Sequence, residues 1–111
     1  MKPDLSFIIP VYNVEQFLAK CLHSIINNDW LEIQYEIVII DDASPDQSLT
    51  IALEFSKQYA NIKVISQENK GLGGARNTGI KEANGNYLFF LDSDDFLKPN
   101  KIQKIIQTAL D

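Results

Sequence analysis

Four short apolar runs divide the chain, and a stretch of mixed polarity follows each of them. The runs cover residues 5–12, 35–40, 62–66 and 87–91, and their length and β-branched content are typical of strands. The last run shows no alternation of polar and apolar residues. It therefore predicts a strand that is buried on both faces, as in parallel sheets covered by helices.

The stretches between the runs carry helical periodicity. Helices are predicted over residues 14–27, 47–59 and 75–83, with Asn84 and Gly85 closing the third one in the left-handed manner that is common after helices. Strands that alternate with helices imply right-handed crossovers and a parallel sheet. The order of the strands does not follow from the pattern, but a single reversal of that order would bring several strand ends to one crevice.

Polar residues mark where the predicted helices begin. Asn13 suits the N-cap of the first helix, and Ser44, Pro45 and Gln47 resemble a capping box with proline at the first helical position. Aspartate after a strand is often only a turn former or helix cap, and this is our interpretation of Asp46.

Carboxylates follow two of the strands. Asp92, Asp94 and Asp95 come directly after the last run, and Asp41 and Asp42 come directly after the second. In extended chain, Asp92 and Asp94 would point to the same side, where two like charges repel unless a cation lies between them. A hard divalent cation with positions left for water and a diphosphate satisfies such a pair. The pattern therefore predicts a metal-bound, phosphate-rich ligand at the carboxyl edge of the sheet.

Composition narrows the classes of function. The chain has 111 residues, 45% of them hydrophobic, and a formal net charge of −5, which suits one globular domain and argues against nucleic acid as a partner. No run approaches transmembrane length and no signal peptide is visible, so a cytoplasmic location is expected. We expect Cys21 to be a buried structural thiol and His23 to be a solvated surface residue.

Four motifs occur in order along the chain: SFIIPVYN at 6–13, IIDDASPD at 39–46, GGARNTGI at 73–80 and FLDSDD at 90–95. Together they resemble the family 2 glycosyltransferases, which have the GT-A fold of nucleotide-diphospho-sugar transferases. The resemblance covers essentially all of residues 1–111. It implies a three-layer α/β/α, Rossmann-like and mainly parallel sheet with strand order 3-2-1-4. It also implies metal-dependent transfer of a sugar, with inversion, from a nucleotide-diphospho-sugar such as a UDP-sugar to an acceptor hydroxyl.

The same resemblance assigns roles to individual residues. Asp42 would accept the imide N–H of uracil, while Asp94, with Asp92, would bind Mn²⁺ or Mg²⁺. Asp95 would either support that site or cap the next turn, and Arg76 would either donate to the phosphates or pair with an acid such as Glu82. The residues expected to bind the nucleotide-sugar are Pro10, Tyr12, Asn13, Glu15, Asp41, Asp42, Lys70, Gly71, Arg76, Asp92 and Ser93.

The end of the chain bears on activity. A last helix is predicted from Pro99 and stops at Asp111 without a cap, so we expect an amino-terminal, nucleotide-sugar-binding portion of a larger GT-A domain, or an unusually minimal domain. In such enzymes the catalytic base lies beyond the DXD motif, which here is Asp92, Ser93 and Asp94, so we expect the base and the acceptor half beyond Asp111.

The chain is then expected to bind nucleotide with little or no turnover, and to associate with itself through exposed apolar surface. A saccharide or lipid-linked acceptor, polysaccharide biosynthesis and a place at the inner face of the membrane are expected by family analogy.

Two other classes compete with this interpretation. Receiver and dehalogenase domains also place acids at strand ends, but they require them after the first strand, which here ends in Tyr12 and Asn13. The third possibility is a module that keeps the GT-A fold for interaction and has no chemistry of its own.

Overall fold

The computed structural model describes residues 2–30 and 32–98, so the helix predicted from Pro99 lies outside the described residues. Strands and helices alternate along the described part of the chain. In chain order they are β1 (Leu5–Val11), α1 (Leu18–Ile26), β2 (Tyr35–Asp41), α2 (Ser48–Gln58), β3 (Ile62–Ser66), α3 (Gly71–Glu82) and β4 (Tyr87–Phe90).

The four strands form one parallel sheet in the order β3-β2-β1-β4, which confirms the predicted order 3-2-1-4. The pairing of β1 with β4 ends at Ile8 and Phe90, and the carbonyl of Ile8 then accepts the N–H of Leu91. Pro10 faces the same side of β1 two residues further on, where β4 has already ended. Its missing N–H therefore costs no bond to β4, so proline is tolerated near the end of this strand.

Helices cover both faces of the sheet, which gives the predicted three layers. On the face of α1 and α2, the ring of Phe7 packs edge-on against Trp30 and Phe89, each with a centroid distance of 5.6 Å. On the other face, Ala75 of α3 packs against Ile8, with neighbours from β2. Burial of such apolar side chains contributes about 1.5–3 kcal/mol each, and this term holds the helices on the sheet.

The prediction that β4 is buried on both faces is wrong for the described residues. Tyr87, Leu88 and Phe90 are each about 40% exposed, whereas Phe89 packs into the core. The reason is topological, because β4 lies at the edge of the sheet and α3 packs over β1 and β2. An uninterrupted apolar run does not distinguish a central strand from an edge strand.

Two predicted helix N-caps are wrong. Asn13 does not cap α1: it adopts a positive φ of 57°, and the helix begins at Leu18 after a turn. The predicted capping box at 44–47 lies before α2, which begins at Ser48, and its N-cap residue Gln47 makes no side-chain capping bond. The carboxylate of Asp46 instead accepts the N–H of Ser48 at 3.0 Å, which confirms that Asp46 shapes a turn.

The third helix is longer than predicted. It begins at Gly71, which has a φ of 77°, rather than at Ala75. A positive φ suits glycine and allows the chain to enter the helix directly from the loop. At the other end, Ala83 is extended and no left-handed glycine closes α3, so the role predicted for Asn84 and Gly85 is wrong.

Candidate functional site

A cavity of about 400 Å³ opens at the carboxyl ends of β1, β2 and β4 and at the start of α3. In open α/β sheets this edge is where ligands bind, and the volume lies within the usual range for small-molecule sites. The lining residues are Pro10, Val11, Tyr12, Val14, Asp42, Asn69, Gly71, Leu72, Ala75, Asp92, Ser93 and Asp94.

The segment after β1 is fixed by the start of α2. The N–H of Val14 donates to Ser48 Oγ at 2.9 Å, and the N–H of Glu15 donates to Asp46 Oδ2 at 3.0 Å. Tyr12 lies at the rim of the cavity, where half of its surface is exposed. Among the predicted binding residues, Asn13 and Glu15 do not line this cavity. They line a separate, smaller depression beside Asp46, with a volume of about 200 Å³.

Asp42 is a buried carboxylate that accepts three hydrogen bonds. Its Oδ1 accepts the side-chain amide of Gln67 at 2.9 Å and the N–H of Lys70 at 2.8 Å, and its Oδ2 accepts the N–H of Gly71 at 2.9 Å. Burial acts to raise the pKa of this carboxyl, but the three hydrogen bonds and the nearby Lys70 ammonium outweigh it and lower the pKa below its ordinary value. Asp42 is therefore ionised and holds the loop that begins at Gln67 against the end of β2.

Asp41 points away from this cavity. It belongs to β2, so its side chain alternates with that of Asp42, and it is 2% exposed. Its Oδ2 accepts the N–H of Ser44 at 3.4 Å, and its Oδ1 is buried without a hydrogen-bond partner. The carboxylate of Asp41 thus contacts the turn that follows β2 and does not join that of Asp42 at the cavity wall.

The three acids after β4 form a turn and not the extended chain that the sequence analysis assumed. The N–H of Asp95 donates to the carbonyl of Asp92 at 2.9 Å, so the argument that Asp92 and Asp94 point to one side of an extended strand is wrong. Asp92 and Asp94 nevertheless both line the cavity. The carboxylate of Asp95 accepts the N–H of Phe96 at 2.8 Å, which corresponds to the capping alternative.

Arg76 lies beside this turn. Its Nη2 is 3.4 Å from Asp92 Oδ1, and both side chains are at least 40% exposed. The pair is therefore weak, worth less than about 1 kcal/mol, and it does not prevent Asp92 from taking another partner. The pairing is with an acid of the turn and not with Glu82, and it brings a guanidinium to the edge of the cavity.

The donor set of the turn is suitable for a hard cation. Asp92 and Asp94 offer carboxylate oxygens, which Mg²⁺ and Mn²⁺ prefer. Across residues 2–30 and 32–98, no group of three or more His, Cys, Asp or Glu side chains is arranged to hold a metal ion. Two protein ligands, with the remaining positions open to water and phosphate, are the usual arrangement for Mg²⁺ at a diphosphate, so the residues fit the predicted ion.

Two residues of helix α1 contact the acidic turn and the segment that follows it. The thiol of Cys21 lies 3.8 Å from the carbonyl of Asp92, and burial, then the charges of Asp95, Asp94 and Asp92, raise its pKa to about 12. The thiol is therefore protonated and inert, which confirms the structural role predicted for it. One turn further along the helix, Ser24 Oγ accepts the N–H of Leu97 at 2.8 Å.

We expect Ser24→Ala to lower the free energy of unfolding by about 1 kcal/mol, because the buried Leu97 N–H loses its acceptor. Ser56→Ala is a matched control, since both hydroxyls donate to the carbonyl three residues earlier, but Ser56 has no acceptor role in the described contacts. Amide hydrogen exchange would show faster exchange at Leu97 in Ser24→Ala alone. Equal effects of the two substitutions would contradict this support by α1.

Sequence analysis missed part of this site. Leu72 and Ala75 line the cavity because α3 begins early, and a helix predicted from residue 71 would have placed them on one face. Asn69 and Gln67 lie in a loop where no residue pattern distinguishes a ligand-facing side chain from a solvated one. The predicted residues Lys70 and Arg76 reach the site through a backbone N–H and an ion pair, respectively, and neither lines the cavity.

This chain resembles known glycosyltransferases in both sequence and structure. Over 109 residues the chain is 42% identical to the uncharacterized glycosyltransferase EpsJ of Bacillus subtilis, covering 98% of the chain and 31% of the relative. The crystal structure of residues 1–349 of S. aureus TarS in complex with UDP-GlcNAc matches with a TM-score of 0.81 and 32% identity, covering 96% of the chain and 30% of that TarS fragment. The mannosyltransferase PcManGT from Pyrobaculum calidifontis, solved with GDP-Man and Mn²⁺, matches with a TM-score of 0.82, covering 99% of the chain and 32% of that protein. The two sequences are only 21% identical, so this match shows a shared fold and nothing more.

These matches confirm the GT-A fold, and the chain spans about a third of the length of EpsJ and of the TarS fragment 1–349. Within the described part of the chain, no helix has the length and apolar character needed to cross a membrane. The glycosyl transferase family 2 model matches residues 6–111, and the chain therefore belongs to glycosyltransferase family 2.

Proposed function

We propose that this chain forms the nucleotide-sugar-binding portion of a metal-dependent, inverting glycosyltransferase whose donor is a UDP-sugar. One observation carries the proposal. A single cavity has the buried, hydrogen-bonded Asp42 at one wall and the turn with Asp92 and Asp94 at another. A nucleoside diphosphate has the matching distribution of groups, with an N–H on its base and negative charge on its phosphates.

The base would bind at the end of β1 and β2. Asp42 is ionised and can only accept hydrogen bonds, and the imide nitrogen of uracil can only donate one. The exposed ring of Tyr12 and the pyrrolidine ring of Pro10 offer apolar surface to the same cavity. TarS, which is 32% identical to this chain, was solved in complex with UDP-GlcNAc, and this supports uracil as the base.

The diphosphate would lie towards α3 and the acidic turn. Asp94, with Asp92, would hold Mn²⁺ or Mg²⁺, which when bound supplies charge stabilisation for a departing nucleoside diphosphate. Arg76, held near the turn by Asp92, would add positive charge on the same side. Lys70, whose backbone N–H binds Asp42, is close enough in sequence to Gly71 at the cavity wall to serve as a second donor.

The remaining steps are proposals about the longer protein. We place the catalytic base and the acceptor site beyond Asp111, with a saccharide or lipid-linked acceptor in polysaccharide biosynthesis and a cytoplasmic location. Family membership excludes the receiver and dehalogenase alternatives. The alternative of an interaction module without chemistry makes a different prediction, because such a module needs neither Asp42 nor Asp94 for its role.

The test is a calorimetric titration of UDP into the protein with Mn²⁺, with EDTA, and with Asp94→Ala in place of the wild type. We expect measurable binding with Mn²⁺, and a loss of affinity of about a hundredfold or more in EDTA or in Asp94→Ala. Glu54→Ala removes an exposed carboxylate on α2 and should leave affinity unchanged. Binding of UDP that is equal in all four samples, or absent from folded wild-type protein with Mn²⁺, would overturn the proposal.

A further inference from the structure

The carboxylates of Asp92 and Asp94 depend for their position on the backbone of the acidic turn, residues 92–95. Within residues 2–30 and 32–98, the carboxylate of Asp94 makes no hydrogen bond, and that of Asp92 is bonded only to the Arg76 guanidinium, at 3.4 Å. The turn itself is closed by one bond, from the Asp95 N–H to the Asp92 carbonyl. The contacts at the two ends of the turn therefore decide where these carboxylates lie.

Helix α1 contacts both ends of the acidic turn. At the first end, the thiol of Cys21 lies 3.8 Å from the carbonyl of Asp92. Beyond the other end, Ser24 Oγ accepts the N–H of Leu97 at 2.8 Å, and the same hydroxyl donates to the carbonyl of Cys21 at 2.6 Å. Because Cys21 and Ser24 are three residues apart on one helix, they lie on the same face, and one rigid element holds both ends of the turn.

The segment that follows the turn runs along this face of α1. Lys20 Nζ lies 5.0 Å from the centroid of the Phe96 ring, and Asn28 Nδ2, just beyond the end of the helix, donates to the carbonyl of Lys98 at 3.3 Å. With Ser24 between them, these contacts recur every four positions along the chain. Consecutive residues of the segment therefore meet successive turns of α1.

Ser24 holds the central and most buried residue of this segment. Leu97 is 7% exposed and belongs to the core that includes the apolar face of α1, whereas Phe96 is 46% exposed. A buried N–H that loses its acceptor is costly, so removal of the Ser24 hydroxyl should draw the backbone at Leu97 towards water. Asp94 is only three residues away, and a shift of this backbone would displace it.

We propose that Ser24 is a positioning residue for the candidate metal site, which acts through Leu97 to fix the end of the acidic turn and so to place the carboxylate of Asp94. The inference rests on the proposed function and adds a residue of α1 that does not itself line the cavity. The opposite wall has separate supports, because Asp42 is held by groups from residues 67–71. A change at Ser24 should therefore weaken the metal-dependent part of nucleotide binding and leave the rest intact.

The experiment measures the dissociation constant of UDP, with Mn²⁺ and in EDTA, for wild type, Ser24→Ala, Ser24→Thr and Ser56→Ala. For Ser24→Ala we expect the affinity with Mn²⁺ to fall about tenfold and the affinity in EDTA to change by less than about twofold, since residues that orient metal ligands act on metal affinity. Ser24→Thr keeps a hydroxyl acceptor and should retain the affinity of wild type. Ser56→Ala removes an exposed hydroxyl that also donates to the carbonyl three residues earlier, and it should change neither constant.

A measurement without metal or nucleotide tests whether the effect reaches the turn. In metal-free protein, NMR should show faster amide exchange at Asp95, whose N–H closes the turn, in Ser24→Ala and not in Ser24→Thr. Asn28→Ala removes another uncharged contact with the same segment and covers the case in which Ser24→Ala does not fold. Its effects on exchange and on affinity should have the same direction and be smaller.

Three results would overturn the inference. Equal losses of UDP affinity with Mn²⁺ and in EDTA would show that Ser24 has only a structural role. Wild-type affinity in Ser24→Ala with Mn²⁺, or unchanged exchange at Asp95, would show that α1 does not position the turn. The proposed function fails on the wild type alone, through absent or metal-independent binding of UDP, so the two failures are distinguishable.

Discussion

Asp42→Ala is expected to weaken UDP binding by about a hundredfold or more and to lower the free energy of unfolding by roughly 2 kcal/mol. Both effects have one cause. The carboxylate accepts three N–H groups that hold the loop beginning at Gln67, and the same carboxylate is the acceptor proposed for the base. Calorimetric titration measures the first effect, and urea-induced unfolding followed by circular dichroism measures the second.

The stability contributed by Asp42 also depends on pH. Its pKa in the folded protein is lower than its ordinary value of 3.8, so the unfolded chain takes up a proton more readily than the folded one. This contribution is therefore present above pH 3.8 and is lost as the pH falls through 3.8 towards the folded pKa. The difference in unfolding free energy between wild type and Asp42→Ala should be largest near neutral pH and should shrink below about pH 4.

Asp46→Ala is the matched control for this prediction. Asp46 also accepts backbone N–H groups, and these bonds lower its pKa as well, although burial acts in the opposite direction. It does not line the cavity, so Asp46→Ala should lower stability while UDP affinity changes by less than about threefold. A loss of UDP affinity in Asp46→Ala as large as that in Asp42→Ala would show that lower stability alone weakens binding, and that Asp42 has no separate role as the acceptor for the base.

The position of the site could be predicted from the sequence because it depends on strand ends. Carboxylates that directly follow apolar runs must emerge at the carboxyl edge of a parallel sheet, whatever the side chains between them. Asp42, Asp92 and Asp94 were found in this way, although the geometric argument for the last two assumed extended chain where the structure has a turn. Successive side chains of a strand point to opposite faces, which separates Asp41 from Asp42. The sequence analysis did not use this alternation to assign the two residues to different faces.

The contacts that orient the site could not be predicted, because they join residues far apart in the chain. Ser24 meets Leu97, and Gln67 lies between Asp42 and Thr78, and none of these positions carries a local pattern that differs from an ordinary polar residue. The strand order came from the family resemblance and not from the hydrophobic pattern. For this reason the exposure of β4 at the sheet edge was not anticipated, although order 3-2-1-4 contains that information.

Gly85 shows the same difference between local pattern and tertiary contact. After a predicted helix, glycine suggests a left-handed cap, but in the structure Gly85 lies against the backbone of β1. A Cβ atom at this position would be 2.6 Å from the Ser6 nitrogen and 2.7 Å from the Leu5 carbonyl carbon. Backbone atoms of a central strand cannot move aside as a flexible side chain can. Gly85→Ala is therefore expected to lower the free energy of unfolding by roughly 2–4 kcal/mol.

Gly73→Ala provides the control for Gly85→Ala, with the opposite sign. A Cβ atom at Gly73 meets nothing within 4 Å, and the residue lies inside α3, where alanine favours helix by about 1 kcal/mol over glycine. Chemical unfolding should thus rank the proteins, from most to least stable, as Gly73→Ala, wild type and Gly85→Ala, and equal stabilities for the two variants would contradict the close approach at Gly85.

The N–H of Gly85 donates to Ser6 Oγ at the amino edge of the sheet, opposite the cavity. Any folded Gly85→Ala should consequently bind UDP with the affinity of wild type, because the substitution changes the folded fraction and not the site.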